Sequence, residues 1–311
     1  MIVILNANPS FDRTIIVDRL ISHGVLRGKE VFKHADGKGM GIARVLNLLD
    51  DNYICLNILG GATGLLIEQL AISEGIKIDT FKIKDESRIN TILLSNSNET
   101  LVINEPGPIV EKTEVVNFKL WLQNTLSRFE EKQEGNYFVI GGSFPRGFEM
   151  HDFDEILSYA QSRHFKIAVD IAGEFLGVAL KRRVWMVKVN YNEISQFVNS
   201  NEKVISSVNN SYGIENVIIT FGRNGSYGNL LGENFKVTIN NSEEKYAVGS
   251  GDAYFGGLLH GIVNGFSPYD CMKYAAACGG ANTEEIGPCV FKREHINKWI
   301  SLINVEKVEK W

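Results

Sequence analysis

The sequence predicts an α/β fold with a mainly parallel central sheet and a small β-sheet that covers one edge of it. Short apolar runs alternate along most of the 311-residue chain with segments of helical apolar spacing. Such alternation is typical of βα units, whose strands are parallel and buried on both faces. Two stretches, at about 11–35 and 85–105, break the alternation with consecutive strand-like runs. We expect both to be lid strands inserted into a single domain of residues 1–311.

The N-terminal part of the chain supplies the first of these units. Ile42, Val45, Leu46 and Leu49 recur at helical spacing, and Gly75 ends a second helical pattern. The segment "NSNE" separates two strand-like runs and indicates a hairpin. In chain order the predicted elements are strands at 1–6, 15–20, 30–35, 53–60, 88–95 and 99–105, and helices at 41–50 and 64–75.

The rest of the chain continues the alternation after the breaker "EPGP" at 105–108. Phe255, Leu258 and Leu259 begin one apolar face of a helix that starts near Asp252. A proline at the first helical position, after Ser267, indicates another helix start. The predicted elements here are helices at 111–131 and 151–164, and strands at 136–142, 166–173, 185–190 and 215–222.

Composition excludes several classes of partner. The chain has 32 Lys and Arg residues and 37 Asp and Glu residues, a net charge of −5, which argues against a nucleic-acid surface. No apolar run approaches the roughly 18 residues that cross a bilayer, and the N-terminus does not resemble a signal peptide. Four cysteines without a C-x-x-C pair suggest free thiols. We expect a cytoplasmic protein that binds a small molecule or another protein, without membrane or nucleic-acid binding.

The stretch "YAVGSGDAYFGGLLHG" at residues 246–261 carries the strongest functional signal. Its glycine-rich part precedes a predicted helix, where free backbone N–H groups and the helix dipole favour an anion. Glycines let the backbone approach such a ligand closely. A carboxylate at an anion site is useful if Asp252 takes a proton from a hydroxyl that attacks phosphorus.

Asp252 has an alternative use as an ordinary helix cap, which the stretch by itself leaves open. A dinucleotide fingerprint fits less well, because Tyr254 occupies the third glycine position of G-x-G-x-x-G. The earlier segment "GKGMGIAR" lacks the spacing of a P-loop.

Taken together, "DGKGMGIARVL" (36–46) and the late glycine stretch resemble the two signatures of the ribokinase-like (PfkB) carbohydrate kinases. Six further segments are similar to family motifs in the same order: "NANPSFDRTI", "SRINTILL", "INEPGP", "GGSFPRG", "VKVNYNEI" and "TFGRNGS". The resemblance covers nearly the whole chain and is strongest to the branch of 1-phosphofructokinase and tagatose-6-phosphate kinase.

The resemblance implies a three-layer ribokinase-like fold with a β-sheet lid that often mediates dimerisation. It also implies transfer of the γ-phosphate of Mg-ATP to a hydroxyl of fructose 1-phosphate or tagatose 6-phosphate. Asp252 matches the catalytic base, and the anion hole matches Gly249, Ser250 and Gly251. The residues that match the sugar-phosphate site are Asp12, Gly37, Lys38, Gly39 and Arg88. Those that match the nucleotide site are Asn190, Thr220, Gly222, Gly225 and Asn282, with Glu193 holding Mg²⁺ through water.

Each matched residue also has an ordinary structural use. Asp12 could be a turn aspartate, Lys38 a solvated loop lysine and Arg88 an exposed strand arginine. Asn190 and Glu193 could cap a helix, and glycines are common in turns. Against this, a fixed guanidinium suits a phosphate dianion well.

The chain departs from the family pattern in residues 36–41, the segment that matches the family's sugar loop and is named the sugar loop for that reason. Asp36 stands where the first glycine of G-G-K-G is usual, and Gly41 where an asparagine that contacts the substrate is usual. Val248 and Ser250 replace a usual Thr and Ala. We expect Gly41 to loosen sugar discrimination and Gly41→Asn to restore it. These departures leave a non-catalytic sugar-phosphate sensor as the alternative function, whereas a nicotinamide dehydrogenase lacks its fingerprint.

Overall fold

The computed structural model describes residues 1–129, 135–197, 204–240 and 246–309. The strands are β1 (Ile2–Asn6), β2 (Ser10–Val17), β3 (Glu30–Asp36), β4 (Tyr53–Gly60), β5 (Ile78–Ile83), β6 (Arg88–Ser95), β7 (Thr100–Asn104), β8 (Tyr137–Gly141), β9 (Lys166–Asp170), β10 (Met186–Asn190), β11 (Asn216–Thr220), β12 (Ser226–Leu230), β13 (Glu233–Ile239) and β14 (Ile303–Val308). The helices are α1 (Lys38–Leu48), α2 (Gly61–Ser73), α3 (Lys112–Ser127), α4 (Met150–Ser162), α5 (Gly173–Lys181), α6 (Tyr191–Ile194), α7 (Val204–Tyr212), α8 (Ser250–Val263), α9 (Pro268–Ala281) and α10 (Arg293–Ile300).

The central sheet has ten strands in the order β14-β13-β12-β11-β10-β9-β8-β1-β4-β5. From β5 to β11 every neighbouring pair is parallel, and β12, β13 and β14 extend the sheet with antiparallel pairs. The mainly parallel sheet predicted from the alternating pattern is confirmed.

Helices cover both faces of this sheet, which gives three layers. In β1, Ile2 and Ile4 pack in one core with α1, α2, α8, α9 and α10, while Val3 and Leu5 pack in the other with α3, α4, α5 and α7. Because successive strand residues point to opposite faces, burial on both sides makes the strand apolar throughout. This explains why the central strands are recognisable as continuous apolar runs.

A second sheet of four strands, in the order β3-β2-β6-β7, forms the lid sheet. Each predicted insertion contributes an antiparallel pair, β2 with β3 and β6 with β7, and a parallel β2–β6 pairing joins them. The small sheet expected from residues 11–35 and 85–105 is therefore present. The extent of a single domain over residues 1–311 stays a prediction.

Several elements differ from the sequence-based expectation. The strand expected at 15–20 lies at Ser10–Val17, and the helix expected at 41–50 begins at Lys38. The helix expected at 111–131 ends at Ser127, and residues 130 and 131 lie outside the described ranges. The elements that were not anticipated are β5, α5, α6, α7, β12, β13, α10 and β14.

The four cysteines are free and buried, as expected. Burial raises the pKa of the Cys55 thiol to about 12, so that this thiol stays protonated at neutral pH. Among the helices of the described ranges, none is long and apolar enough to cross a membrane.

Candidate active site

The predicted site residues gather at one edge of the central sheet, where its parallel strands end. The last residues of β1, β9, β10 and β11 are Asn6, Asp170, Asn190 and Thr220. The carboxyl ends of neighbouring parallel strands meet at one edge, which is where ligands bind in open α/β sheets. The loop before α1 lies against Asn6 at the end of β1, and the N-terminus of α8 lies beside Lys188 of β10.

The sugar loop lies directly on the end of β1. Gly37 has a φ of 118°, a conformation that glycine adopts without strain. A Cβ at Gly37 would lie 2.5 Å from Asn6 Oδ1, and one at Gly39 would lie 2.6 Å from Asn6 Cβ. Both glycines are therefore required for the loop to approach the sheet this closely.

A buried ion cluster lies beneath the sugar loop. Lys38 Nζ is 2.5 Å from Asp170 Oδ1 and 3.3 Å from Glu193 Oε1, and Lys188 Nζ contacts the other oxygen of Asp170. Burial would lower the pKa of Lys38, but the Asp170 and Glu193 carboxylates more than offset this and hold it above its ordinary value. Lys38 is thus no solvated loop lysine; it connects the sugar loop to the N-x-x-E segment.

Asp170 and Lys188 also belong to the site, although no motif in the sequence singled them out. Asp170 is fully buried; burial raises the pKa of its carboxyl, and the two lysines together bring it below its ordinary value. The available signal was a charged residue inside or at the end of an apolar strand, in "KIAVD" and "MVKVN". Such a charge is rarely buried without a partner.

The glycine stretch forms the N-terminus of α8 as predicted. Gly249 is the N-cap in the left-handed region, with a φ of 88°, and a Cβ there would lie 2.8 Å from Pro288 Cα. A Cβ at Gly251 would lie 3.1 Å from Lys188 Nζ, so this ammonium group lies beside the helix terminus. Backbone N–H groups, the helix dipole and a lysine therefore all favour an anion here.

Asp252 lies in the first turn of α8 and is not its cap, because Gly249 holds that position and α8 has no side-chain cap. Burial and the nearby Asp170 charge raise the pKa of Asp252, while Lys38 and Lys188 lower it; the result is about 7. A carboxyl with such a pKa can accept a proton at neutral pH and still release it. This property suits a general base.

Gly41 lies against Asp252, which corrects the expectation for this position. A Cβ at Gly41 would lie 2.9 Å from Asp252 Cβ and 3.1 Å from Cys289 Sγ. An asparagine here would meet the carboxyl and the thiol before it could reach a sugar. Gly41→Asn is therefore expected to displace Asp252 rather than simply restore a sugar contact.

The inner face of the lid sheet brings Asp12 and Arg88 together. In the strand register, Ser10 of β2 lies between Arg88 of β6 and Asp36 of β3. Asp12, two residues further along β2, lies between Asn90 and His34 in the same way. Ser10 Oγ donates to Asp12 Oδ1 at 2.5 Å and accepts from Asn90 Nδ2 at 2.9 Å. Asp12 is thus a buried strand residue rather than a turn aspartate.

Arg88 is half-buried rather than exposed. Its Nη2 donates to the Asn8 carbonyl at 3.0 Å. Burial lowers the pKa of Arg88, and the Asp12 and Asp36 carboxyls oppose this shift. An arginine nevertheless stays charged at any relevant pH, so Arg88 presents a fixed cation to the lid face.

Buried polar atoms without a partner concentrate around this face. Among the described residues, no hydrogen-bond partner is present for Asn8 Oδ1, Asp36 Oδ1, Arg88 Nε or Asn90 Oδ1. Leaving a buried polar group unpaired costs about 1–3 kcal/mol, so a cluster of them indicates a polar ligand. The lid face is therefore a candidate sugar-phosphate site.

A cavity of about 290 Å³ is lined in part by Ser250 and Gly251 at the N-terminus of α8. Of the predicted nucleotide residues, those that line it are Asn190, Thr220, Gly222 and Gly225. It is also lined by Arg223, Tyr254 and Trp299, which the sequence did not indicate. Aromatic walls with a few polar groups are typical of cofactor and nucleotide sites.

Asn282, predicted for the nucleotide site, is fully buried and does not line the cavity. Its Nδ2 donates to the Val248 carbonyl at 2.9 Å and to Ser250 Oγ at 3.0 Å, and its Oδ1 accepts from the Cys289 N–H at 2.6 Å. This side chain holds the loop before α8 in place.

Asn190 and Glu193 form a reciprocal helix cap and also face the site. Glu193 N donates to Asn190 Oδ1 at 3.0 Å, and Asn190 N donates to Glu193 Oε2 at 2.9 Å. Within the described part of the chain no group of three or more His, Cys, Asp or Glu could hold a metal ion. Mg²⁺ commonly binds through one or two carboxylates with waters and substrate phosphates, an arrangement that Glu193 fits.

Comparisons with known proteins find similar chains among the carbohydrate kinases. A family model described as "pfkB family carbohydrate kinase" matches residues 6–294. A tagatose-6-phosphate kinase from Staphylococcus epidermidis is 31% identical over 296 residues, covering 92% of this chain and 93% of the relative. Phosphofructokinase-2 from Escherichia coli has a TM-score of 0.86 at 24% identity, over 96% of this chain and 98% of its own. A possible 1-phosphofructokinase from Thermotoga maritima has a TM-score of 0.83 at 19% identity, over 99% of each chain.

Proposed function

Because the chain belongs to the pfkB family of carbohydrate kinases, we propose that it transfers the γ-phosphate of ATP to a hydroxyl of a ketohexose monophosphate. The acceptor is fructose 1-phosphate or tagatose 6-phosphate, and the product is a bisphosphate. One observation carries the proposal: Asp252, with a pKa near 7, lies at a glycine-lined helix N-terminus between the aromatic cavity and the polar lid face.

The geometry suggests a role for each group. Arg88 binds the phosphate already on the sugar, and Asp12 accepts hydrogen bonds from sugar hydroxyls. Asp252 takes the proton of the attacking hydroxyl as its oxygen bonds to the γ-phosphorus and the bond to ADP breaks. The N–H groups at Gly249–Gly251 and the Lys188 ammonium stabilise charge on the transferring group. Glu193 would hold Mg²⁺ through water, and the bound ion would neutralise charge on the nucleotide phosphates.

Two relatives support the choice of acceptor. The Staphylococcus epidermidis relative is a tagatose-6-phosphate kinase, and the Thermotoga maritima structure is described as a possible 1-phosphofructokinase. The alternative of a non-catalytic sensor does not explain why a base with a pKa near 7 lies beside an anion site. We therefore propose an enzyme.

ADP release across a panel of hexose monophosphates tests the proposal. We expect ATP- and Mg²⁺-dependent turnover with one of the two ketohexose phosphates and none with unphosphorylated sugars. Asp252→Asn should keep the fold and ATP binding but lower kcat by about 10²–10⁴, the usual cost of removing a general base. Wild-type kcat in this variant would refute the role of Asp252, and no turnover with any sugar phosphate would refute the function.

A further inference from the structure

Asp36 is an acid at the junction between the lid sheet and the sugar loop. It is the last residue of β3 and precedes Gly37, and the strand register places it beside Ser10, which in turn pairs with Arg88. Only 8% of its surface is exposed, and its Oδ1 has no hydrogen-bond partner among the described residues. A family glycine at this point would have no side chain to leave unpaired.

The obvious structural partner of Asp36 is already occupied. The Arg44 guanidinium donates from Nε to Glu74 Oε2 at 2.7 Å, from Nη1 to the Pro288 carbonyl at 2.8 Å and from Nη2 to the Ala35 carbonyl at 2.7 Å. The Arg44 charge lowers the pKa of Asp36, but among the described residues Arg44 forms no hydrogen bond or ion pair with Asp36, whose Oδ1 stays without a partner. A buried acid that neither caps a helix nor forms an ion pair lowers the stability of the fold.

Asp36 forms a pair of carboxyl groups with Asp12. Burial, followed by the Asp12 charge, raises the pKa of Asp36 well above its ordinary value, and a side-chain hydrogen bond between the two carboxyls acts in the same direction. The oxygens of the two carboxyl groups can accept hydrogen bonds from neighbouring hydroxyls of a ligand.

The strand register and the electrostatics place this pair near both the proposed phosphate clamp and the proposed base. The charge of Asp36 acts on Arg88, and the charge of Asp252 acts on Asp36. Asp36 is therefore within electrostatic range of both the proposed phosphate clamp and the proposed base. A sugar that reaches from one to the other presents its ring hydroxyls to Asp36.

We propose that Asp36 hydrogen-bonds to a ring hydroxyl of the sugar phosphate and, together with Asp12, recognises a vicinal diol, which makes Asp36 a determinant of sugar specificity. The inference rests on the proposed function and deepens it. In a ketohexose phosphate the diol between the two ends is formed by the hydroxyls on carbons 3 and 4. Fructose and tagatose differ in configuration at carbon 4, so this pair distinguishes them.

The test replaces Asp36 and measures sugar-phosphate binding with and without turnover. Asp36→Gly, which restores the family residue, and Asp36→Ala remove the carboxyl, whereas Asp36→Asn retains a donor and an acceptor. Asp18→Gly, at an exposed lid aspartate paired with Lys29, is the matched control. Calorimetry without ATP measures binding of the sugar phosphate. Steady-state kinetics compare kcat/KM for fructose 6-phosphate with that for tagatose 6-phosphate, and kcat/KM for fructose 1-phosphate with that for tagatose 1-phosphate.

We expect Asp36→Gly and Asp36→Ala to weaken binding of the preferred sugar phosphate by about tenfold to a hundredfold, the range for a hydrogen bond in a buried site. The preference between carbon-4 epimers should shrink by a similar factor, with the KM for ATP unchanged. Asp36→Asn should stay within about threefold of wild type. Folding of each variant is checked by its thermal transition.

Unchanged affinity and unchanged epimer preference in the folded Asp36→Gly or Asp36→Ala variant would overturn the inference. So would an equal effect of Asp18→Gly. If wild type binds a sugar phosphate in the calorimeter but turns none over, the proposed function fails, while the binding comparison still decides the role of Asp36.

Discussion

At the residue scale, the charge state of Asp252 results from its burial and from the charges of one carboxylate and two lysines around it. Asp170 opposes ionisation of Asp252, while Lys38 and Lys188 favour it, and both lysines are tied to Asp170. A carboxyl whose pKa is raised to near 7 in this way lowers the stability of the fold, because its charged form is poorly solvated.

This cost gives a prediction for stability against pH. The pKa of Asp252 is about 7 in the fold and 3.8 ordinarily, so the folded state binds the proton more tightly than the unfolded state. The proton bound to Asp252 therefore stabilises the fold fully below pH 4, and this stabilisation is lost as the pH rises through 7. Asp252→Asn should raise the free energy of unfolding relative to wild type by on the order of 2 kcal/mol at pH 8 and by little at pH 4.

Urea unfolding of both proteins at pH 4, 6 and 8 measures this difference. Asp18→Asn is the control, because Asp18 is exposed and the hydrogen bond and charge of Lys29 hold its pKa below the ordinary value. That variant should show no gain at pH 8. An Asp252→Asn variant with the same pH dependence as wild type would show that the fold does not raise the pKa of Asp252.

At the element scale, helices α1 and α8 approach through glycines. A Cβ at Gly256 would lie 2.6 Å from Val45 Cβ, and one at Gly41 would lie 2.9 Å from Asp252 Cβ. Real Cβ contacts this short do not occur, so each glycine fixes how closely the sugar-loop helix and the base helix pack. The position of Asp252 depends on this contact.

We expect Gly41→Ala to lower kcat by about tenfold or more, because the added methyl moves Asp252 and small misplacements at a reacting centre are costly. The KM for ATP should change little. Gly177→Ala is the matched control: it lies in α5, away from the site, and its Cβ would meet the Phe197 ring at 3.1 Å. Steady-state kinetics of both variants measure the effect, and an unchanged kcat in Gly41→Ala would show that the helices adjust without moving the base.

The elements also show which parts of the fold the sequence can predict. β1 and β8 are buried at every residue, and their unbroken apolar runs identify them. β7 is exposed at every residue and was predicted only through the hairpin signal before it. β12 and β14 have mixed burial, so neither apolar continuity nor a turn motif marks them clearly.

The candidate site was predictable where its residues fall in glycine-rich segments, as Lys38 and Asp252 do. The Lys38–Asp170 pair spans 132 positions, and only the parallel arrangement of the strands brings the two together. Asn282 shows the opposite limit: its place in the motif pattern suggested a ligand contact, yet its hydrogen bonds hold the loop before α8. Spacing along the chain does not reveal which way a side chain points.

At the scale of the whole molecule, the lid sheet is continuous with the active site. β3 ends at Asp36 and leads through Gly37 directly into α1, so the lid and the sugar loop are joined without a linker. The inner face of the lid carries Asp12 and Arg88, while its outer strand β7 faces solvent. A partner that holds the lid would therefore also constrain the sugar site.

We predict that two copies of the chain associate through β7. Leu101, Val102 and Ile103 are 48%, 43% and 53% exposed, and β7 is the edge strand of the lid sheet. An edge strand with unpaired backbone groups and apolar side chains is prone to pair with another chain, and a second lid offers the matching edge.

Light scattering at micromolar concentration should give a dimer for wild type and a monomer for Ile103→Glu, because a buried unpaired carboxylate opposes association. Leu120→Glu, on α3 with 54% exposure, is the control and should stay dimeric. A monomeric wild type, or dissociation by both substitutions alike, would contradict the lid interface. If the dimer holds the lid in place, Ile103→Glu should also raise the KM for the sugar phosphate more than the KM for ATP.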